Sequence, residues 1–388
     1  MRRILQYLEN SIRRFLAWLL TRPVTWMAER FSSAPKQDKV NEALSKLYEN
    51  TVDKQGGKGS MFSFDTNLQS IIIFSDHHKG ARNGSDDFGV CEDNYLAALD
   101  YYNDRKFYYI SLGDTEELWE NTIFQVLKMN RATFRKERLF VERDALCKIY
   151  GNHDLLWDND PLAPIYLKRM YGRTVKIFSG IVLRSTYADG CAIDIFCTHG
   201  HQGDSQSDGN KFSKWFVSYV WGPLQSFLRI NTNSPSTNDQ LKSLHNQFMY
   251  EWSAAQKNIV LVTGHTHQPV FNSLTHLERL YKARQESVKK GDPDAIAAID
   301  REIPRRKREY DYVQMNYESL KPTYFNSGCC CFEDGTITGI EITDGFIRLI
   351  KWSKVNGVPT RIIAEETRLA DLAEKIHGGM HEELKSKK

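Results

Sequence analysis

The segment Ser70-Ile71-Ile72-Ile73-Phe74-Ser75-Asp76-His77-His78 decides the fold, because a short apolar run in it ends abruptly in an acid and two histidines. A run of this length, rich in β-branched residues, is typical of a strand that is buried on both faces. Four further runs share this form: residues 107–112, 146–150, 191–198 and 259–263. Helical stretches follow these runs, so the sequence predicts a layered α/β architecture.

Polar residues that can bind metal follow every one of the five runs. In open α/β sheets the carboxyl ends of the strands line the crevice where ligands bind, so we expect these residues to converge. Carboxylate, amide oxygen and neutral imidazole suit first-row dications, and the lack of thiolate argues against a structural zinc site. The five groups are Asp76-His77-His78, Gly113-Asp114-Thr115-Glu116-Glu117, Gly151-Asn152-His153-Asp154, His199-Gly200-His201 and Gly264-His265-Thr266-His267.

Each group on its own also has a structural interpretation. Asp76 and His78 alone fit an Asp that caps a turn beside a surface His, and Asp114 alone fits a helix N-cap. The GNHD group is more informative, because Gly and Asn allow a tight turn while Asn and His present ligating atoms together. Five such groups in this order, each at the end of a strand, favour a shared metal site.

The ordered set DxH, GDxxD/E, GNHD/E, HG and GHxH resembles the calcineurin-like metallophosphoesterase family from about residue 70 to residue 267. The resemblance implies a β-sandwich flanked by helices, with helical insertions. It also implies two divalent metal ions as cofactors, drawn from Mn, Fe, Zn, Ni and Co. One ion would take Asp76, His78, Asp114 and His267, and the second would take Asp114, Asn152, His199 and His265. Asp114 would then bridge the two ions.

The resemblance also implies a catalytic role for His153, over the substrate phosphate, where it stabilises the transition state or protonates the leaving group. The alternative is that His153 only braces Asn152. His199 is favoured over His201 as the ligand, because it directly follows the strand and precedes Gly200. His201 then orients a ligand or contacts substrate.

Five other residues near the ligands are considered for supporting roles. Glu117 and Asp154 fit partners that orient metal ligands. His77, Lys79 and Arg82 follow the first ligands, and two interpretations remain open for these three: contact with the substrate phosphate, or a solvated loop.

The predicted reaction is hydrolysis of a phosphate ester or pyrophosphate bond by water held between the two ions. Glu117-Leu118-Trp119, Gly203-Asp204 and the aromatic segment after Asp208 are similar to the bacterial hydrolases that cleave UDP-diacylglucosamine. That similarity implies a lipid-linked substrate, although that branch usually carries Arg at the position of His153. Two other hypotheses are a metal-dependent nuclease and a catalytically silent scaffold on the same fold.

The predicted domain covers residues 62–355, with insertions at about residues 205–250 and 275–322. An amphipathic helix over residues 1–31 and a linker over residues 32–61 precede it, and a charged C-terminal tail covers residues 356–388. The aromatic segment 212–230 is either a lid or plain core. The charged segment 277–308 predicts a solvated helical insertion, with a phosphate-gripping role for Arg305–Arg308 as the alternative.

Residues 1–27 are both basic and apolar, with apolar residues at helical spacing. No stretch reaches about 18 uncharged apolar residues, which argues against a spanning helix, and the short apolar core argues against a signal peptide. One interpretation is contact with an anionic membrane surface. The other is docking on the protein itself or on a second subunit.

The composition of the 388 residues is that of a folded globular protein, with 41% hydrophobic and 26% charged residues. The net charge of +3 is too small to indicate a nucleic-acid partner. The seven cysteines are an odd number without a CxxC pair, which fits neither a disulfide framework nor a zinc knuckle. We therefore predict a cytoplasmic protein, peripheral on the inner membrane face in the membrane-contact interpretation.

Overall fold

The computed structural model describes residues 36–53, 58–66, 68–83, 86–186, 192–203, 239–306 and 320–376. Within these ranges the strands are β1 Gly59–Ser63, β2 Ile71–Phe74, β3 Tyr108–Leu112, β4 Leu146–Ile149, β5 Ile177–Phe178, β6 Gly180–Thr186, β7 Ala192–Thr198, β8 Ile259–Thr263, β9 Val270–Phe271, β10 Leu274–Thr275, β11 Tyr324–Asn326, β12 Ile337–Thr343, β13 Phe346–Val355 and β14 Val358–Arg368.

The helices in the same ranges are α1 Gln37–Asp53, α2 Glu92–Asp104, α3 Ile123–Met129, α4 Arg131–Glu142, α5 Leu156–Asn159, α6 Ala163–Tyr171, α7 Asp239–Ala255, α8 His276–Lys290, α9 Pro293–Arg306 and α10, residues 369–376.

The strands form two seven-stranded sheets. Sheet A has the order β1-β6-β7-β8-β11-β9-β10, and sheet B has the order β14-β13-β12-β2-β3-β4-β5. The predicted α/β architecture is therefore confirmed. All five apolar runs are strands whose ends lie within two residues of the predicted limits: β2, β3 and β4 in sheet B, β7 and β8 in sheet A.

The two sheets enclose a common hydrophobic core. Ile73, Ile110 and Leu112 of sheet B and Ile195 and Val262 of sheet A belong to one cluster of buried side chains. Strands β2, β3 and β4 pair in parallel, and so do β7 and β8. Because parallel neighbours end at the same edge, this core brings the carboxyl ends of all five strands to one rim of the sandwich.

An Asp-Gly pair forms the tight turn between β12 and β13. Asp344 and Gly345 both have a positive φ, of 53° and 75°. Positive φ at both central residues is the requirement of the tight hairpin turn that matches the twist of its strands. Seven residue pairs are in register along this hairpin, from Ile337 and Trp352 to Thr343 and Phe346.

Residues predicted as a linker, 32–61, instead contain helix α1 and the start of β1. Val40 and Leu44 of α1 are fully buried and belong to a cluster with Phe196 of sheet A and Trp252 of α7. The apolar residues of α1 recur at helical spacing among many polar ones, and this pattern is weak enough to be overlooked in a polar stretch.

The predicted C-terminal tail, residues 356–388, also holds ordered structure. Strand β14 pairs with β13 along ten residue pairs and extends sheet B. Helix α10 then places Leu369, Leu372 and Ile376 in the core between the sheets. Strand β14 has no buried residue and carries four charged ones, so the sequence lacks the apolar pattern by which strands are recognised.

Both predicted insertions are helical where the structure describes them: α7 belongs to the first, and α8 and α9 form the second. Segments 1–27 and 212–230 lie outside the described residues, as do the side chains of Arg305–Arg308. In the described part of the chain, no helix is both long enough and apolar enough to cross a membrane. The cytoplasmic and inner-face location stays a prediction.

Helix α1 gives a direct test of the packing of sheet A. We expect Leu44→Ala to lower the free energy of unfolding by about 2–4 kcal/mol, because it opens a cavity at a fully buried site. Lys46→Ala on the exposed side of the helix should change it by less than about 0.5 kcal/mol. Urea unfolding measures both, and equal stability of the two variants would mean that α1 does not pack on the sheet.

Candidate metal centre

The rim where the five strands end holds a dense cluster of ligating side chains. Asp76, His78 and Asp114 offer atoms within 4.8 Å of one another, and Asp114 does the same with His199 and His265. All five side chains are buried. Asp114 belongs to both groups, so it stands between two potential cation positions.

The backbone at this rim has an uncommon conformation. Among the described residues, thirteen other than glycine have a positive φ, and five of these are predicted ligands. Left-handed backbone is costly for such residues and concentrates at functional sites. Here it turns alternate side chains of each short motif toward the same point. The five are Asp76, His78, Asp114, His265 and His267.

One half of the cluster is formed by Asp76, His78 and His267. His267 Nε2 lies 3.3 Å from Asp76 Oδ1 and 3.1 Å from His78 Nε2. The Nδ1 atom of His78 lies 2.8 Å from Glu117 Oε2, so its N–H donates to that carboxylate. The lone pair of His78 Nε2 is thereby left for a cation.

The other half is formed by Asp114, Asn152 and His199. His199 Nδ1 donates to the carbonyl oxygen of Leu112 at 2.9 Å. Its Nε2 lies 3.1 Å from Asp114 Oδ2 and 3.2 Å from Asn152 Oδ1. Once its Nε2 proton is lost, His199 would offer a lone pair at the point that the Asp114 and Asn152 oxygens also face, so these three atoms could hold one cation.

His265 completes this half of the cluster. Its Nε2 is buried and has no hydrogen-bond partner among the described residues. Burial holds the pKa of His265 well below its ordinary value, so the ring is neutral. Its backbone N–H donates to Asp76, at 2.9 Å from Oδ2. A buried neutral imidazole with an unpartnered nitrogen is the donor that a divalent cation requires.

The carboxylates give the cluster a strongly negative potential. Burial lowers the pKa of His78, but the Glu117 and Asp114 carboxylates outweigh it and raise that pKa to about 10. Burial also lowers the pKa of His199, but the Asp114 and Asp76 carboxylates outweigh it and raise that pKa to about 9. A site that draws protons this strongly also attracts divalent cations.

Two glycines allow the ligands to approach each other. A Cβ atom at Gly151 would lie 2.2 Å from Asp114 Oδ1, and one at Gly264 would lie 2.3 Å from Asp76 Oδ2. No side chain fits at either position without displacing a carboxylate. The glycines of the GNHD and GHTH motifs are therefore required by the close packing of the ligands.

His153 lies at the edge of the cluster and is partly exposed, with 17% of its side chain accessible. Its Nδ1 donates to the same Glu117 oxygen as His78, at 2.8 Å, and its backbone N–H donates to Asp114 Oδ1 at 2.7 Å. The ring stacks on Trp119, with centroids 4.0 Å apart. Trp119 and Glu117 together hold the ring in place, with Nδ1 engaged by Glu117.

Glu117 and Asp154 lie where partners of the ligands are expected. Burial opposes ionisation of Glu117, but His153 and His78 lower its pKa to about 2. Asp154 accepts from the backbone N–H of Gly151 at 2.6 Å and of Thr115 at 2.9 Å, which joins two ligand loops. Burial, against the opposing charge of Lys148, raises the pKa of Asp154 to about 6.

The structure does not bring His77, Lys79 or Arg82 to the cluster. His77 is buried among aromatic rings, with Tyr109 as its hydrogen-bond partner at 3.2 Å. Lys79 is fully buried and forms an ion pair with Glu137 at 2.5 Å. Arg82 pairs with Asp86 and Glu92. Neither interpretation made from the sequence fits His77 and Lys79, because both side chains point into the core.

His201 and three further residues surround the ligands. His201 is buried, with its ring 5.4 Å from that of His199. His245 of α7 donates to the Gly200 carbonyl at 2.6 Å, and its ring lies 5.1 Å from that of His265. Cys331 Sγ lies 3.7 Å from His267 Nδ1. Trp119, His245 and Cys331 belong to none of the five motifs, and only Trp119 stands near one in sequence.

The sequence model of the calcineurin-like phosphoesterase family matches residues 70–269, which is slightly more than half of the chain. The matched region begins one residue before β2 and ends just after His267. It therefore includes all five motifs. A comparison with curated protein sequences found no match to the chain.

Three solved structures resemble the chain at low scores. Vacuolar Protein Sorting 29 from Cryptosporidium parvum is 11% identical, with 77% of this chain and 98% of that chain covered and a TM-score of 0.31. A single mutant of Vps29 from Entamoeba histolytica is 10% identical, with 76% and 100% covered and a TM-score of 0.29. A dimetal phosphatase from Danio rerio is 10% identical, with 77% and 100% covered and a TM-score of 0.29.

Glu117 gives a test of how the ligands are oriented. We expect Glu117→Gln to weaken binding of Mn²⁺ by about 10- to 100-fold, because it removes the carboxylate that orients both His78 and His153. Isothermal titration of the metal-free protein measures the affinity. Glu120→Gln, an exposed change three residues away, is the control, and equal affinities in the two variants would exclude an orienting role.

Proposed function

The chain belongs to the calcineurin-like phosphoesterase family, and from that premise we propose that it is a dinuclear metal-dependent phosphoesterase. One observation carries the proposal. His199 Nε2 lies within 3.2 Å of an Asp114 oxygen and an Asn152 oxygen, beside the unpartnered nitrogen of His265. A divalent cation that displaced the His199 proton would meet carboxylate, amide and imidazole ligands together.

The proposed division of the ligands follows the two halves of the cluster. The first ion would be held by Asp76, His78, His267 and Asp114, and the second by Asp114, Asn152, His199 and His265. Two bound dications lower the pKa of a water, orient it in line with the leaving oxygen and neutralise phosphoryl charge. A shared carboxylate is the group best suited to lie between them.

His153 acts on the substrate and not on the metal. Its Nδ1 proton is committed to Glu117, so its Nε2 can carry a second proton toward a phosphoryl or leaving-group oxygen. Stacking on Trp119 holds the ring plane in place while this proton moves. His153 therefore stabilises the transition state or protonates the leaving group.

The bond that is cut is a phosphate ester or a pyrophosphate bond. A lipid-linked diphosphate, as in the hydrolases of UDP-diacylglucosamine, is the more specific form of the proposal, supported by Glu117-Leu118-Trp119 in the sequence. A silent scaffold would have no need of the complete ligand set. A nuclease would depend on Arg305–Arg308 and on binding that weakens with salt.

Asp114 tests the dinuclear proposal. We expect Asp114→Asn to reduce turnover by more than about 1,000-fold, because the shared negative ligand of both ions is lost. The assay uses nitrophenyl mono- and diesters, nucleotides and diphospho-lipids with Mn²⁺, Mg²⁺, Zn²⁺ or Ni²⁺. Asp104→Asn, at the exposed end of α2, is the control. Wild-type turnover in Asp114→Asn would refute the assignment, and absence of turnover from the unmodified chain on every substrate would favour a scaffold.

His153 separates catalysis from metal binding. We expect His153→Ala to lower kcat by about 100- to 10,000-fold while the two metal affinities stay within a factor of three, because the side chain is not one of the proposed metal ligands. Steady-state kinetics and metal titration of the same preparation measure both effects. A loss of metal affinity equal to that of a ligand variant would show that His153 braces Asn152.

A further inference from the structure

We propose that one face of α3 and α6 docks on an anionic phospholipid surface. We call it the α3–α6 face and define it by Phe124, Lys128, Leu162, Ile165, Lys168 and Arg169. All six side chains are exposed, and they project from adjacent turns of two neighbouring helices.

Three large apolar side chains of the face are exposed to solvent. Phe124 is 56% exposed, Leu162 is 48% exposed and Ile165 is 62% exposed. The rings of Phe124 and Tyr166 lie 5.9 Å apart, so α3 and α6 meet at this point, one residue from Ile165 along the chain. Clustered exposed apolar side chains with a polar rim mark interaction sites.

The charged part of the face is positive. Lys128, Lys168 and Arg169 stand beside the apolar patch, and the Arg169 guanidinium lies 5.8 Å from the Phe124 ring centroid. Among the residues that the structure describes, none of these three cations forms a salt bridge with an acidic side chain. The face therefore fits an anionic partner.

An anionic bilayer satisfies both parts of the face at once. Lys and Arg bind lipid phosphates, while Phe, Leu and Ile side chains insert at the boundary between headgroups and acyl chains. Residues 1–27 combine the same two classes of side chain in the sequence.

The α3–α6 face adjoins the metal centre. Leu118 donates its backbone N–H to the His153 carbonyl at 3.3 Å, and α3 begins four residues after Trp119. Ile123 and Val126 of α3 share a buried cluster with Leu155, which follows the GNHD motif. If the proposed function holds, docking through this face presents His153 to phosphoesters in the headgroup layer.

Site-specific labelling tests the docking directly. In the full chain carrying Ile165→Cys, we expect vesicles containing phosphatidylglycerol to slow maleimide modification of position 165 by at least tenfold, read by peptide mass spectrometry. Phosphatidylcholine vesicles should have no such effect. Val288→Cys, at a 54% exposed position of α8, is the matched control and should react at the same rate throughout. Unchanged reactivity at position 165 would overturn the proposal and leave an acidic protein as the occupant.

Vesicle sedimentation measures how strongly the chain partitions onto the membrane. We expect Ile165→Ser with Lys168→Glu to lower the partition coefficient by at least tenfold, whereas Val288→Ser with Lys290→Glu, the matched pair on α8, leaves it unchanged. Equal partitioning of the two double variants would contradict the proposal. Asp114→Asn should partition like the unmodified chain, so docking can be established even if the chain proves to hydrolyse nothing.

Discussion

The whole account depends on one constraint: five buried strands from two facing sheets end at the same rim. The core between the sheets holds β2, β3 and β4 over β7 and β8, because the apolar side chains of both sheets fill the space between them. The short polar motifs that follow these strands therefore lie together at the shared edge. Burial of hydrocarbon thus brings acidic and imidazole side chains close together, and burying such ionisable groups is unfavourable unless they pair with one another or bind a cation.

The sequence was sufficient for the fold class and for the clustering of the candidate ligands, since both follow from local patterns. An apolar run of four to eight residues marks a buried strand, and the residue type directly after it marks the rim. Asp114 and His265 are adjacent in space although far apart in sequence, and the position of each directly after a buried strand predicts that adjacency.

What the sequence did not reveal depends on contacts between distant segments. His77 and Lys79 stand beside predicted ligands in the sequence. In the structure both side chains are buried in the core, where His77 contacts Tyr109 and Lys79 pairs with Glu137. His245 and Cys331 reach the ligands from α7 and from the loop after β11, with no motif to mark them. Helix α1 and strand β14 were concealed by their polar residues.

Anomalous X-ray scattering from crystals soaked in Mn²⁺ tests the central claim most directly. Two bound ions should give two peaks roughly 3.5–4 Å apart, with the Asp114 carboxylate between them. The Nε2 atoms of His199 and His78 should each face a different peak. A single peak, or two peaks without Asp114 between them, would contradict the claim that the converging strand ends build a dinuclear centre.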